Sequence, residues 1–286
     1  MKAFYYQVAG HIFVLQTYGM EDVVCELKQY EPFVVEPTDD VLFRLTVTDE
    51  PMDLSGFQEE VKQDDDGQSI VAGTVAGKPC FEFWLGKRRS SVLMVDADGK
   101  EGVVSVENNR SFGINNALMV LYALCTADKR TALFHSSVVS YKGKAYMFLG
   151  KSGTGKSTHS SLWLKHIEGT ELVNDDNPVV RVEDDGTVVV YGSPWSGKTP
   201  CYRNVSYPVG AIVRLSQAPY NKIVRLKGVK AYAAVVPSIS GKRWDAHQAE
   251  GLHETENLLA QCAKVYHLEC LPDEDAARVC LAAVVE

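Results

Sequence analysis

The chain has 286 residues, and its 29 lysines and arginines against 37 aspartates and glutamates give a formal net charge of -8. Charged residues make up 23% and hydrophobic residues 45%, values typical of globular domains, which excludes a fibrous or wholly disordered chain. The acidic pI of about 5.4 argues against a nucleic-acid partner, because a polyanion needs a basic face. At roughly 100 to 200 residues per domain, the length predicts one large domain or two small ones.

Cysteine usage and hydropathy predict the compartment. The seven cysteines are an odd number, are widely scattered and form no C-x-x-C pair, which favours reduced thiols over disulfides or a zinc site. We expect no signal peptide, and no apolar run approaches the ~18 residues of a membrane span. The prediction is a cytoplasmic protein with no membrane partner.

Residues 1–110 are predicted to form a β-rich N-terminal region. Runs rich in β-branched and aromatic residues alternate with turn signals, as expected for short strands. The predicted strands are residues 11–18, 41–47, 80–85 and 90–96. The acidic cluster at residues 64–66 lacks the spacing of a calcium loop and is predicted to be a hairpin tip.

Residues 111–286 are predicted to form a second domain, of the α/β class. Residues 109–127 indicate a buried helix that leads into it. Strands at residues 132–141 and 144–150 precede a helix at 156–167. Further strands follow, with part of a helix between residues 244 and 269 and a helical tail that opens with acidic residues.

The segment Gly150–Ser157 matches G-x-x-x-x-G-K-[ST], the P-loop or Walker A pattern. It follows an apolar strand and opens the predicted helix, so glycine backbone N–H groups and the helix N-terminus can surround phosphates. Lys156 is predicted to reach the β- and γ-phosphates of ATP, and the Ser157 hydroxyl to bind Mg²⁺. The alternative is a glycine-rich structural turn. The residues predicted to contact the nucleotide are Gly150, Lys151, Ser152, Gly153, Thr154, Gly155, Lys156, Ser157 and Thr158.

A second match to the same pattern, Gly192–Thr199, is predicted to be a loop and not a phosphate cradle. Pro194 removes one backbone donor, and no helical periodicity follows Pro200. Lys198 and Arg203 are then free to face an anionic group of the acceptor or the nucleotide. The alternative is a surface turn with exposed basic residues.

Asp175 and Asp176 follow a short apolar strand, where a phosphate loop needs an acidic partner. Two adjacent carboxylates suit a division of roles, with one on the metal and one as general base. The alternative is an ordinary type I turn, because Asp-Asn-Pro is common turn chemistry. His135 precedes the strand of the phosphate loop, and a lone histidine is usually structural.

Residues 135–164 (HSSVVSYKGKAYMFLGKSGTGKSTHSSLWL) and 173–181 (VNDDNPVVR) resemble the catalytic domain of bacterial HPr kinase/phosphorylase. That family shares a P-loop core with ATP-dependent phosphoenolpyruvate carboxykinases, and the resemblance covers about residues 130–183. It implies a P-loop kinase core of that α/β type.

The resemblance also implies roles for individual residues. Asp176 would be the base that deprotonates a serine hydroxyl, and His135 would assist it. Asp175 would then hold the metal, while Lys156 and Ser157 keep the roles given above. The chain departs from the family pattern at Ser136, where a glycine usually follows the histidine, and at residues 206–210, which lack the family's metal-binding glutamate. These departures leave the identity of the acceptor and any reverse phosphorolysis open.

The sequence therefore predicts an ATP- and Mg²⁺-dependent kinase acting on a serine-type hydroxyl of a protein, peptide or small molecule. A carboxykinase-like enzyme on a small dicarboxylate is one alternative, and a non-catalytic nucleotide-binding regulatory module is another. The predicted partners are the nucleotide and the acceptor, and a homo-oligomer is left open.

Overall fold

The computed structural model describes residues 1–65, 67–197 and 199–285. The chain divides into two compact units, Met1–Cys125 and Thr126–Glu286. Among the described residues, no helix combines the length and apolar character that crossing a membrane requires.

The first unit is an eight-stranded sheet with one helix. Its strands are β1 (Lys2–Val8), β2 (His11–Thr17), β3 (Arg44–Thr48), β4 (Gln58–Asp65), β5 (Gln68–Val75), β6 (Lys78–Leu85), β7 (Arg88–Val95) and β8 (Glu101–Val106), in the order β1-β2-β3-β8-β7-β6-β5-β4. Helix α1 is Arg110–Thr126. The acidic cluster predicted as a hairpin tip lies at the β4–β5 turn, with Asp66 outside the described residues.

Helix α1 was predicted from its apolar residues, and the structure contains it. Its residues Leu118 and Leu121 are fully buried, and the Tyr122 hydroxyl donates to the carbonyl of Val8 at 3.0 Å. Leu121 lies so close to β8 that a Cβ added to Gly102 would be 2.7 Å from it. Because α1 packs on the first sheet, the division between the units falls after this helix and not at the predicted residue 110.

The second unit is a mixed α/β unit. Its strands are β9 (Thr131–Leu133), β10 (Ser136–Tyr141), β11 (Lys144–Leu149), β12 (Glu171–Asp176), β13 (Val179–Val182), β14 (Val188–Tyr191), β15 (Ser206–Gln217), β16 (Lys222–Leu226) and β17 (Val265–Cys270). Its helices are α2 (Lys156–His166), α3 (Val229–Val235), α4 (Ala246–Cys262) and α5 (Glu274–Val284).

The strands of this unit form one path, β12-β10-β11-β15-β14-β13-β9, with β17 on β15 and β16 on β17. Strands β11, β15 and β17 are parallel, so their carboxyl ends share one edge of the sheet. Strand β10 is antiparallel to β11 and β12, which brings the start of β10 to that same edge. The long strand β15 pairs with β14 through its first residues and with β11 and β17 through the rest.

Two apolar clusters cover the two faces of this sheet. Phe148 and Val213 belong to the cluster that contains Trp163 of α2. Met147 and Ile212, their neighbours along the strands, belong to the cluster on the other face, which also contains side chains of β13, β14, α3 and α4. This alternation is the two-residue period of a strand buried on both faces.

The strand predicted at residues 132–141 is two strands. Strand β9 pairs with β13, whereas β10 pairs with β11 and β12, so the chain changes partners between them. The break is held by Phe134, which bridges to Ile239, and by the backbone N–H of His135, which donates to the Ser238 carbonyl at 2.7 Å. His135 therefore lies at the break, at the edge where the parallel strands end.

Candidate active site

The loop Gly150–Ser157 joins the end of β11 to the start of α2. Gly150 and Gly155 have positive φ angles of 156° and 105°, which favour glycine, and α2 begins directly after Gly155. A Cβ at Gly150 would lie 3.0 Å from the Thr154 side chain, so the loop closes tightly on itself there. The N–H groups at the start of α2 therefore point towards the space enclosed by the loop.

Lys156 is the first residue of α2, and its side chain turns back over the loop. Its Nζ donates to the Gly150 carbonyl at 3.1 Å and lies 2.9 Å from Nε2 of His135. An ammonium group only donates, so Nε2 is the acceptor and a neutral His135 carries its proton on Nδ1. Lys156 is 9% exposed. A charge this well enclosed, at the mouth of a glycine loop, suits an anionic ligand.

Asp176 reaches the same point from β12. Its Oδ1 lies 3.4 Å from Nε2 of His135, and both side chains remain about one-third exposed, at 38% and 34%. Asp176 has a φ of 141°, a strained conformation for any residue except glycine. The three residues predicted to be catalytic therefore meet at one accessible position: Lys156, His135 and Asp176.

Asp175 faces the opposite side of β12. Its Oδ1 accepts a hydrogen bond from the Ser157 hydroxyl at 3.0 Å, and it is 6% exposed. A hydroxyl and a carboxylate are ligand types that Mg²⁺ takes together with phosphate oxygens and waters. No group of three or more His, Cys, Asp and Glu side chains among the described residues is arranged to hold a metal. Ser157 and Asp175 thus offer two of the oxygen ligands that a Mg²⁺ ion could take.

The segment Gly192–Asn204 is a loop in its described part, and it packs against β12. The N–H of Gly197 donates to the Asp175 carbonyl at 2.7 Å, and the Asn174 side chain donates to the Trp195 carbonyl at 3.2 Å. The glycines of this second pattern serve close packing. A Cβ would lie 2.0 Å from the Arg203 carbonyl oxygen at Gly192 and 3.0 Å from the Asp176 Cβ at Gly197.

Arg203 and Lys198 were predicted to face an anionic group. The Arg203 guanidinium donates to the Leu172 carbonyl at 2.6 Å and to the Glu171 carboxylate at 2.7 Å, at the start of β12. Hydrogen bonding to Glu171 raises the pKa of Arg203. These contacts hold the Gly192–Asn204 loop on β12. The contact of Arg203 with an acceptor stays a prediction. Lys198 lies outside the described residues.

An open cleft of about 580 Å³ adjoins the loop. Gly153 and Thr158 line one side, and its apolar lining includes Leu162, Leu215 and Leu271. The sequence prediction missed these apolar residues, because they come from α2, β15 and the segment after β17. Only the pairing of β15 with β11 and β17 brings them together.

His159 also lines this cleft, from the second turn of α2. It is 2% exposed, packs edge-on against Phe148, and accepts a hydrogen bond from the Trp163 indole N–H at 3.2 Å. Burial lowers the pKa of His159 to about 4, so the imidazole is neutral at physiological pH.

The fold is thus that of an α/β protein with large mixed sheets. No protein-family profile matches the chain, and no curated protein is similar to it in sequence. Among solved structures it is similar to the HPr(Ser) kinase/phosphatase from Coxiella burnetii, with a TM-score of 0.32 and 11% identity over 54% of this chain and 93% of that chain. A similarity this low carries no information on the function of this chain.

Proposed function

We propose that the protein is an ATP- and Mg²⁺-dependent kinase that transfers the γ-phosphoryl group to a serine-type hydroxyl of a protein, peptide or small molecule. The observation that carries this proposal is the contact of His135 with both Lys156 and Asp176, at 2.9 and 3.4 Å, at the mouth of the Gly150–Ser157 loop. A cation for the transferred group and a carboxylate for the hydroxyl proton are the two charges that such a reaction needs.

Residues 150–158 would hold the nucleotide phosphates through backbone N–H groups and the Lys156 ammonium. The Ser157 hydroxyl and the Asp175 carboxylate would hold Mg²⁺. When bound, ATP supplies the phosphoryl group and Mg²⁺ offsets the negative charge of its oxygens. The apolar cleft beside Thr158 suits the adenine base of ATP, because the cleft begins where the phosphate loop ends.

Asp176 accepts the proton of the acceptor hydroxyl as the hydroxyl oxygen bonds to phosphorus and the bond from phosphorus to the departing diphosphate breaks. Lys156 stabilises the charge on the transferred group, which requires its ammonium to turn from His135 towards a phosphate oxygen. The Nε2 lone pair of His135 then becomes available to Oδ1 of Asp176. His135 thus assists the base by taking a hydrogen bond from, or the proton of, the newly protonated carboxyl group.

The first test is ATP binding by Lys156→Ala, with Lys165→Ala as the matched control. Lys165 lies in the last turn of α2 and is exposed, so its loss removes a lysine of the same helix without touching the loop. We expect Lys156→Ala to weaken ATP binding at least about tenfold in isothermal titration, because one charge-assisted contact is lost. Unchanged affinity in Lys156→Ala, with loss in Lys198→Ala, would place the nucleotide in the other loop.

The second test identifies the reaction. The protein is incubated with γ-labelled ATP, Mg²⁺ and a lysate of the source cells, and the labelled product is identified. A kinase labels a hydroxyl compound, and the label is absent with Asp176→Asn. Release of free phosphate alone, equal in the parent and in Asp176→Asn, would argue against phosphoryl transfer.

A further inference from the structure

His159 is a buried polar side chain in the wall of the cleft that adjoins the Gly150–Ser157 loop. It comes from α2, one residue after Thr158, and it lines the cleft although only 2% of it is exposed. The ring of Phe148 packs edge-on against the imidazole, with 4.6 Å between the ring centroids, and the Trp163 indole is bonded to it. These contacts hold the imidazole in one orientation.

The hydrogen bond with Trp163 determines which ring nitrogen of His159 carries the proton. An indole N–H only donates, so Nε2, which lies 3.2 Å away, is the acceptor. Because burial lowers the pKa of His159 to about 4, the ring is neutral at physiological pH, and its one proton is on Nδ1. Nδ1 is therefore a hydrogen-bond donor under these conditions.

The Nδ1–H group opens into the cleft without a partner. Among the residues that the structure describes, Trp163 is the only hydrogen-bond partner of the His159 ring. Nδ1 is also not one of the side-chain atoms that are both fully enclosed and unpaired. Since His159 is otherwise buried and lines this cleft, its accessible nitrogen belongs to the cleft wall. A fixed, unpaired donor at that position suits an acceptor atom of a ligand.

The rest of the wall indicates the kind of ligand. Leu162, Leu215 and Leu271 give the cleft apolar surface. The polar residues Thr158 and Gln217 also line it but are exposed, so His159 is the more firmly held of these groups. Apolar walls with a buried donor match a flat heteroaromatic ring that has unprotonated nitrogens on its edge. Adenine is such a ring, with N1, N3 and N7 as acceptors.

We propose that the Nδ1–H group of His159 donates a hydrogen bond to a ring nitrogen of the bound nucleotide's adenine and thereby contributes to the selection of the base. The proposal rests on the proposed kinase function, which assigns the phosphates to the Gly150–Ser157 loop and the base to the cleft. It adds a residue that recognises the base. Because His159 belongs to the helix that begins at the loop, the donor keeps a constant separation from the phosphates.

The first test follows Nδ1 of His159 directly, by ¹⁵N NMR of the parent protein. ADP with Mg²⁺ should shift the Nδ1 resonance, whereas pyrophosphate with Mg²⁺, which offers phosphates without a base, should leave it unchanged. An equal shift with both ligands, or no shift at saturating ADP, overturns the proposal. Failure of the parent to bind ATP, ADP and pyrophosphate at all would instead refute the proposed function, and this inference with it.

The second test uses 1-deaza-, 3-deaza- and 7-deaza-ADP, in each of which a C–H group replaces one ring nitrogen. At least one analogue should bind the parent about tenfold more weakly than ADP in isothermal titration, because its C–H group leaves the Nδ1–H unpaired. The same analogue should bind His159→Phe as well as ADP does, since phenylalanine has no donor. Equal binding of all four nucleotides to the parent, or an undiminished loss in His159→Phe, overturns the proposal.

His166→Phe is the matched control for this variant. His166 lies in the last turn of the same helix, its Nδ1 is 3.2 Å from the Glu274 carboxylate, and it is not among the residues that line the cleft. His166→Phe should therefore discriminate against the analogue as strongly as the parent does. The NMR test needs no variant, so it decides the proposal also where His159→Phe does not fold.

Discussion

His159 should make the stability of the second unit fall in mild acid. Burial lowers the pKa of its imidazole from 6.5 to about 4. In the folded protein, Nε2 of His159 accepts a hydrogen bond from the Trp163 indole N–H. Protonation removes that acceptor and places a positive charge on a side chain that is only 2% exposed. Neither effect opposes protonation in the unfolded chain, so His159 takes up its proton at a higher pH in the unfolded chain than in the folded chain.

The magnitude follows from the two pKa values. Between about pH 6.5 and about pH 4 the unfolded state binds one proton more than the folded state, so the free energy of unfolding falls as the pH falls through this window. A difference of about 2.5 pKa units at 1.36 kcal/mol per unit gives roughly 3 kcal/mol. Above about pH 6.5 both states are neutral at this site and the contribution is constant.

The assay is urea unfolding of the parent and of His159→Gln at about pH 7 and about pH 4.5. Glutamine offers an oxygen to Trp163 but does not titrate, so the advantage of the parent over the variant should shrink by about 2–3 kcal/mol at the lower pH. His247→Gln, which removes an exposed histidine of α4, controls for the loss of an imidazole. Parallel pH profiles of parent and His159→Gln would refute the reasoning, as would NMR evidence that His159 of the parent protonates near pH 6.5.

Three further predictions concern β12 and its supporting loop. Asp176→Asn should bind ATP like the parent but transfer phosphoryl at least about a hundredfold more slowly, because an amide cannot take the proton; titration calorimetry and label transfer measure the two effects. Asp175→Asn should instead weaken Mg²⁺-dependent binding, and equal losses of Mg²⁺ affinity in both variants would indicate a joint metal site. Gly192→Ala should cost about 2 kcal/mol or more of unfolding free energy in urea titration, since its Cβ would lie 2.0 Å from the Arg203 carbonyl oxygen; a variant as stable as the parent would contradict this packing.

Elements with strong local signals could be predicted closely. Helix α2, predicted at residues 156–167, is Lys156–His166, and α1, predicted at residues 109–127, is Arg110–Thr126. Helix α1 follows from its dense apolar residues, whereas α2 follows from the glycine pattern that precedes it and from the apolar residues Trp163, Leu164 and Ile167. Helix α3 was missed because it has only seven residues and no capping side chain, so it depends on packing against α4 and the sheet.

The break at His135 could not be predicted from neighbouring residues. Residues 132–141 contain two apolar runs with polar residues 135–137 between them, but a continuous strand can also carry such polar residues, so they do not by themselves separate β9 from β10. The separation depends on Ile239 and Ser238, about a hundred residues further along the chain, because these residues are backbone partners of Phe134 and His135. A local pattern contains no information on such a contact.

For the same reason, only part of the candidate site could be predicted from local patterns. The loop and the acidic pair have local patterns, whereas His135 entered only through the family resemblance.

The two matches to one glycine pattern show what decides between them. In Gly150–Ser157 a helix follows Gly155, so the N–H groups of its first turn point towards a ligand in the loop. In Gly192–Thr199 the Gly197 N–H is already bonded to the Asp175 carbonyl, and the missing Cβ lets the loop approach Asp176. The second loop thus supports the strained backbone of Asp176 at φ 141°. The same spacing of glycines therefore suits ligand binding in the first loop and positions the proposed base, Asp176, in the second. The element that follows each loop determines which of the two roles its glycines have.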